Sequence, residues 1–400
     1  MDQNYISEMP SSQGTGEKIY GRSGKGRGCL TIIGFIALLL IVVVAGYFFI
    51  YPSLTPNKIR GDLLDMTYVP GKDNSNGKLW IVTDGSFTYI QKTSTPGKVS
   101  VGRKGLFCKT YTYIYDPVEK KVLKEFKTSY DELPPKPKLF YKDGNVWMVS
   151  TQQFSYEPMI TVYNAETAEE IMDTKAFVKK HEQLSSGMSE LYMEDNPKRF
   201  RISTHDGQKL IYLVDKDMLF SDDQDYRKYI ESTAKGDVTI FALGEDKGGA
   251  RKKLYKVTGP ADKLLASSIT ESILNNPESV KFFYNSTSVP LTTNKAYLEG
   301  LILYQDADAV IIIHQSQIGK NADRMLTCVA ADGREMWTIP PEQLFPELRV
   351  TEKDAFSVIF FIKDKLSAQR SGDVVIFKFE PAGSICFDFK TGKKLWTISL

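Results

Sequence analysis

Residues 386–400 read CFDFKTGKKLWTISL. An apolar run is followed by a polar turn around Thr391-Gly392 and then by a second apolar run through Trp396, which is the pattern of a β-hairpin. The pattern recurs. VYNAETAEEIM (162–172) aligns with 386–396 without a gap, placing Asn164 at Asp388, Thr167 at Thr391 and Ala168 at Gly392. IYDPVEKKVL (114–123) fits with one residue fewer, and CVAADGREMW (328–337) keeps the step from glycine to tryptophan, Gly333 to Trp337. IFALGEDKGGARKKLY (240–255) fits with a longer turn.

A second element repeats. NGKLWIVTD, DGNVWMVST and DGQKLIYLVD begin at Asn76, Asp143 and Asp206, each a turn dipeptide that opens a mostly apolar strand. Tyrosine, phenylalanine and β-branched residues are plentiful, which favours strands over helices. A turn, an apolar strand and a hairpin, repeated at uneven intervals, build a twisted sheet that cannot bury both faces alone. Stacking several around an axis buries them. The expected fold is therefore all-β, a β-propeller of six or seven blades over residues 60–400. Its last hairpin should complete a blade, with the strand of Trp80 lying beside it. Trp80, Trp147, Trp337 and Trp396 are expected to wedge between blades. DDQDYRKYIES after Ser221, PADKLLASSITESILNN after Gly259 and PPEQLFPEL after Ile339 read as helical insertions.

Asp388, Thr391, Gly392 and Trp396 match A-x-D-x-x-T-G-x-x-x-W, with Cys386 at the first small position. In this the chain resembles pyrroloquinoline-quinone-like β-propeller repeat proteins, and in layout the membrane-anchored propeller proteins of bacteria. The resemblance implies an envelope location and a binding scaffold. It does not extend to the quinone dehydrogenases, whose adjacent cysteines are missing here, so no cofactor is expected.

At the amino end no charge occurs between Arg27 and Lys58, and LTIIGFIALLLIVVVAGYFFIY fills residues 30–51. As a helix, 22 residues rise about 33 Å, enough for a bilayer core. The aromatic end at Tyr47, Phe48, Phe49 and Tyr51 suits an interface. A cleaved signal peptide ending near Val43 and Ala45 fits less well, because a long polar leader precedes the run and the run continues past those residues. Residues 29–51 are expected to be a transmembrane signal anchor, partnered by lipid. Arg22, Lys25 and Arg27 put the disordered basic tail, residues 1–28, in the cytoplasm. A linker, 52–59, then leads to a periplasmic or extracellular domain.

With 51 basic and 49 acidic residues, the chain lacks the basic excess of a nucleic-acid binder, and no nucleic-acid partner is expected. The histidines are sparse. His181 precedes Glu182 but lacks the second histidine of a zinc helix, His205 sits at a turn, and His314 ends an apolar strand. GMSEL at 187–191 lacks the second glycine of a nucleophile elbow around Ser189. Asp215, Asp217, Asp222, Asp223 and Asp225 lack the spacing of a calcium loop. Lys198-Arg199 and Arg251-Lys252-Lys253 read as exposed hairpin charges. No catalytic or metal residue is assigned. The expected function is non-enzymatic binding of an envelope protein or component, with a propeller hydrolase or oxidoreductase and a single-pass ligand sensor as alternatives. Cys108, Cys328 and Cys386 are expected to be free, buried thiols. The one-residue difference between Cys328–Gly333 and Cys386–Gly392 suggests opposite faces for the last two.

Overall fold

The computed structural model describes residues 35–43, 58–71, 77–95, 98–131, 135–151, 157–195, 198–233, 236–245, 251–264, 277–291, 295–318, 322–344, 366–379 and 382–399. The expected tail, 1–28, and most of the expected anchor and linker lie outside them. Contacts divide the chain at Pro56/Asn57. In the first part residues 35–43 are helical, with Phe35, Ile36 and Leu38 through Val43 exposed. Among the described residues no helix is long and apolar enough to cross a membrane.

The second part is mostly antiparallel sheet. The first sheet runs β1 (Asp62–Val69), β2 (Lys78–Asp84), β5 (Lys109–Asp116), β6 (Lys121–Ser129). A separate ribbon, β3 (Phe87–Thr95) and β4 (Lys98–Leu106), is inserted between β2 and β5. The second sheet holds β7 (Pro137–Lys142), β8 (Asn145–Ser150), β9 (Met159–Asn164) and β10 (Glu170–Met172). The third holds β11 (Met188–Asp195), β12 (Lys198–Thr204), β13 (Lys209–Leu213) and β14 (Met218–Phe220). A seven-stranded sheet comprises two runs. One is β15 (Asp237–Glu245), β16 (Arg251–Pro260) and β17 (Thr287–Pro290); the other is β18 (Tyr297–Gln305), β19 (Ala309–Gln315), β20 (Arg324–Ala330) and β21 (Glu335–Ile339). Among the described residues the runs join where Arg251 and Lys252 pair with Leu298 and Tyr297. The last sheet is β22 (Leu366–Ser371), β23 (Val374–Phe379), β24 (Gly383–Asp388) and β25 (Lys394–Ser399).

Inner strands are apolar at nearly every position because both faces of their sheets are covered. In β2, Leu79 and Ile81 join a core with Val374, Ile376, Cys386 and Ile398 of the last sheet. The alternate residues Trp80 and Val82 join Leu139, Val146 and Ala168 of the second sheet. In β19, Ile311 and Ile313 face the last sheet while Val310 and Ile312 face β15 and β16. The second and third sheets share Trp147, Ile160, Phe200 and Tyr212. Side chains alternate along a strand, so each such strand contributes to two cores. Each fully buried large apolar side chain is worth about 1.5–3 kcal/mol. The first and last sheets thus pack face to face, and the strand of Trp80 lies beside the final sheet as expected. First strands of neighbouring units approach one another: β1 beside β7, β15 beside β18, β18 beside β22.

The hairpins expected at 114–123, 162–172, 240–255, 328–337 and 386–396 all form. They do not all occupy one place in their sheets. The hairpin at 240–255 joins the first two strands of its run, and the strand after Asp206-Gly207 is the third of its sheet, whereas those after Gly77 and Gly144 are second. A turn signature specifies a local reversal, not its position in the sheet. Asp223–Thr233, Ala261–Leu264 and the short 3-10 turn Pro341–Gln343 fall in the expected insertions, whereas the helix Pro277–Tyr284 begins just past the one expected at 260–276, whose residues 265–276 lie outside the described ones.

The turn residues are structural. Asp116 accepts the N–H groups of Val118 and Glu119, Asn164 those of Glu166 and Thr167, and Asp388 the N–H and hydroxyl of Thr391. The Thr391 hydroxyl bond, more than any other, holds the Asp388 carboxyl below its usual range.

Cys108, Cys328 and Cys386 are buried thiols, none of them in a disulfide. The expectation of opposite faces for the last two is corrected. Cys328 stands opposite Trp337 and Cys386 opposite Trp396, each followed by a bulge, so the positions are equivalent. The extra residue lies in the turn: Gly333 bonds back to the Ala330 carbonyl, three residues away, but Gly392 to that of Asp388, four away. Burial pushes both thiols up to about 12, which suppresses the reactive thiolate. Thiol labelling of the full chain followed by peptide mapping should therefore modify these three cysteines only after denaturant is added. Labelling of Cys328 or Cys386 in the folded chain would contradict this packing.

Candidate binding groove

Between the second and third sheets the chain builds an open groove of about 760 Å³. One wall is the helix Thr174–Lys180. It is short, but its ends are well satisfied. The Asp173 carboxylate accepts the Ala176 N–H at 2.7 Å, Lys179 and Lys180 occupy the last turn, and His181 returns its N–H to Val178. Phe177 is buried beneath the helix, and the Thr174 hydroxyl bonds both the N–H and the carbonyl of Ile160, fixing the helix to β9.

The opposite wall comes from the segments entering β9 and β11. Pro158, Val178 and Met188 supply apolar surface; Lys175, Lys179, Glu157 and Glu182 supply charge of both signs. His205 lies beside it, 3.4 Å from a Glu157 oxygen and packed against Gly187. Gly187 has φ +85°, a conformation that glycine adopts without strain. The groove can hold a mixed polar and apolar surface element.

Behind the helix, His181 is enclosed by Phe177 and Tyr212, with ring centroids 5.0 and 5.3 Å away. Its Nε2 is 3.9 Å from Asp217, which accepts the Tyr212 hydroxyl at 2.8 Å and pairs with Lys180. Burial lowers the His181 pKa despite the pull of Asp217, so the ring is neutral at pH 7. Burial opposes the Asp217 charge, but the bonds from Lys180 and Tyr212 outweigh it and hold that carboxyl below its usual range.

His314 is a core residue, its nitrogens bonded to the Gln315 carbonyl and the Thr327 hydroxyl at 3.0 and 2.8 Å. Ser189 donates to the carbonyls of Ser203 and Thr204. The five aspartates go to different partners. Asp215 pairs with Lys142 and Asp223 with Arg201, Asp222 accepts the Asp225 N–H, and Asp225 accepts the Ser221 hydroxyl. Among the described residues no three His, Cys, Asp or Glu side chains form a set that could hold a metal ion. Lys198 and Arg199 are less exposed than expected: Lys198 lies over Phe140 and Arg199 over Tyr226, with Glu194 bonding Arg199. The groove was not legible in the sequence, because the stretches 157–158 and 174–188 that line it, and His205 beside it, come together only in the fold. The Asp173–Ala176 cap, ahead of a stretch ending in two lysines, was the one local signal.

No known protein family matches the chain, and no curated protein does. Among solved structures it shows similarity to the computationally designed Ika8 protein, with 11% identity, a TM-score of 0.22, and coverage of 85% of this chain and 87% of that one. Similarity to Kuenenia stuttgartiensis hydrazine synthase has 10% identity, a TM-score of 0.28, and coverage of 83% and 78%. At these scores neither likeness bears on function.

Proposed function

We propose that the chain is a single-pass membrane protein, anchored by residues 29–51, whose residues 60–400 form a six-bladed β-propeller outside the cytoplasm. It acts by binding an envelope protein or component, not by catalysis. The observation that carries the propeller reading is the core shared by the first and last sheets, Leu79 and Ile81 with Val374, Ile376 and Ile398. Shared cores also join the first sheet to the second, the second to the third, the two runs of the seven-stranded sheet to each other and its second run to the last sheet, and packing of unit on unit with the last on the first is what supports a ring. The kinship with pyrroloquinoline-quinone-like repeats is supported by Trp337, which packs on the Thr391-Gly392 turn of the next unit. The anchor is supported by the charge-free apolar run and by the exposed apolar side chains of residues 35–43. The groove beside the helix Thr174–Lys180 is the proposed docking site, because it offers charges of both signs around an apolar floor.

The test has two arms. In the first, the full chain expressed in a bacterium should stay in the membrane pellet after alkaline carbonate, and a reporter active only outside the cytoplasm should be active when fused at Leu400. In the second, a photo-crosslinking residue at Lys175 or Val178 should capture a discrete envelope partner, while one at Lys127 on β6 should not. Release by carbonate removes the anchor reading. Identical capture from the groove and from Lys127 removes the groove.

A further inference from the structure

We propose that the β3–β4 ribbon docks on the anionic headgroups of the membrane that holds the chain's anchor. The first sheet does not need the ribbon. β2 pairs directly with β5 from Leu79↔Tyr115 to Asp84↔Thr110, and Gly85 bonds the Lys109 carbonyl across the gap left by the insertion. The ribbon itself is an unbroken ladder from Phe87↔Leu106 to Thr95↔Lys98, and among the described residues no other strand pairs with it. At about 3.3 Å per residue such strands are roughly 30 Å long.

Its chemistry differs from that of the rest of the chain. Overall the charges nearly cancel, yet between Asp84 and Asp116 there is no acidic residue and there are five basic ones: Lys92, Lys98, Arg103, Lys104 and Lys109. The same stretch exposes large apolar side chains. Phe87 is 68% exposed, Ile90 69% and Phe107 80%. Exposed aromatic and aliphatic groups in a stretch that carries basic and no acidic residues fit the interface of an anionic bilayer, where rings enter the headgroup boundary and cations meet lipid phosphates.

The position fits as well. The chain enters the sheets at the edge from which the ribbon leaves. Asp62 pairs with Asp84, the Thr83 hydroxyl donates to the Arg60 carbonyl at 2.5 Å, and Gly61 lies against the Asp84 carbonyl. Eight Cα-to-Cα steps lead from Tyr51, the end of the apolar run, to Ile59. Fully extended they span about 28 Å. This inference rests on the proposed anchor.

Hydrogen–deuterium exchange of the full chain tests it, in nanodiscs of phosphatidylcholine alone and in nanodiscs that also contain phosphatidylglycerol. Peptides covering residues 87–106 should exchange several-fold more slowly in the anionic discs. High salt should abolish the difference. The triple variant Lys92→Glu, Arg103→Glu, Lys104→Glu should abolish it too, with exchange of the central strands β2 and β5 unchanged. Equal exchange in the two discs overturns the proposal, as expected if the ribbon instead serves a protein partner. If the chain fails to enter discs, the anchor reading falls, and the same peptides are followed with anionic vesicles added from outside. Slowing there supports the ribbon and its absence overturns it.

Discussion

Asp65→Ala should destabilise the sheet domain by about 3–5 kcal/mol, the scale for breaking a buried ion pair from one side. Asp65 is 1% exposed on β1. One carboxylate oxygen accepts the Leu139 N–H of β7 at 2.7 Å; the other accepts its neighbour's N–H at Met66 and pairs with Lys378 of β23. A single side chain therefore joins the first sheet to the second and to the last. Alanine leaves a largely buried ammonium without its carboxylate and a β7 donor without its acceptor. Lys378→Met should cost less, because the carboxylate keeps two backbone donors. Combining Asp65→Asn with Lys378→Met removes both charges while an amide oxygen still accepts from Leu139, and should recover most of the loss. Denaturant midpoints of the four proteins measure this. Equal midpoints for Asp65→Ala and the double variant would show that the charge pair contributes nothing.

That pair also shows where sequence reasoning stops. Asp65 reads as one of two acids trailing the apolar run, and its partner lies 313 residues away. Local patterns carried most of the rest. Apolar, β-branched and aromatic runs such as LWIVT mark strands, and Asp388-x-x-Thr391-Gly392 marks a turn with its own hydrogen bonds. Such signals fix a hairpin but not its rank in a sheet, which is why Asp206-Gly207 was grouped with Asn76-Gly77. They also misplace faces when a turn changes length, as with Cys328 and Cys386. The β3–β4 ribbon was missed because FTYIQKTST resembles a core strand in composition, and only the direct pairing of β2 with β5 shows it to be an insertion.

The Trp337–Gly392 contact is a junction between units that the motif did foreshadow, and its removal should have the second large effect. The Trp337 indole donates from Nε1 to the Phe389 carbonyl at 2.7 Å, and its ring lies so close to Gly392 that a Cβ there would be 2.7 Å from the indole Cγ. Gly392 also has φ +68°. Two separate constraints therefore call for glycine. Gly392→Ala should cost on the order of 3 kcal/mol, part from the left-handed backbone and part from the displaced ring. Trp337→Ala should cost about 3–5 kcal/mol, since it empties a core position and leaves a carbonyl without its donor. The two losses should not add. Once Trp337 is alanine the indole contacts are gone but the Cβ of residue 337, 2.9 Å from the new methyl, remains, so the second substitution should cost the backbone strain of about 1–2 kcal/mol and that one contact, less than in the native protein. A double-mutant cycle on denaturant midpoints reads that coupling directly. Strict additivity would mean that the ring and the turn do not support one another, and the tryptophan would then be only one more apolar residue in the core between β18–β21 and β22–β25.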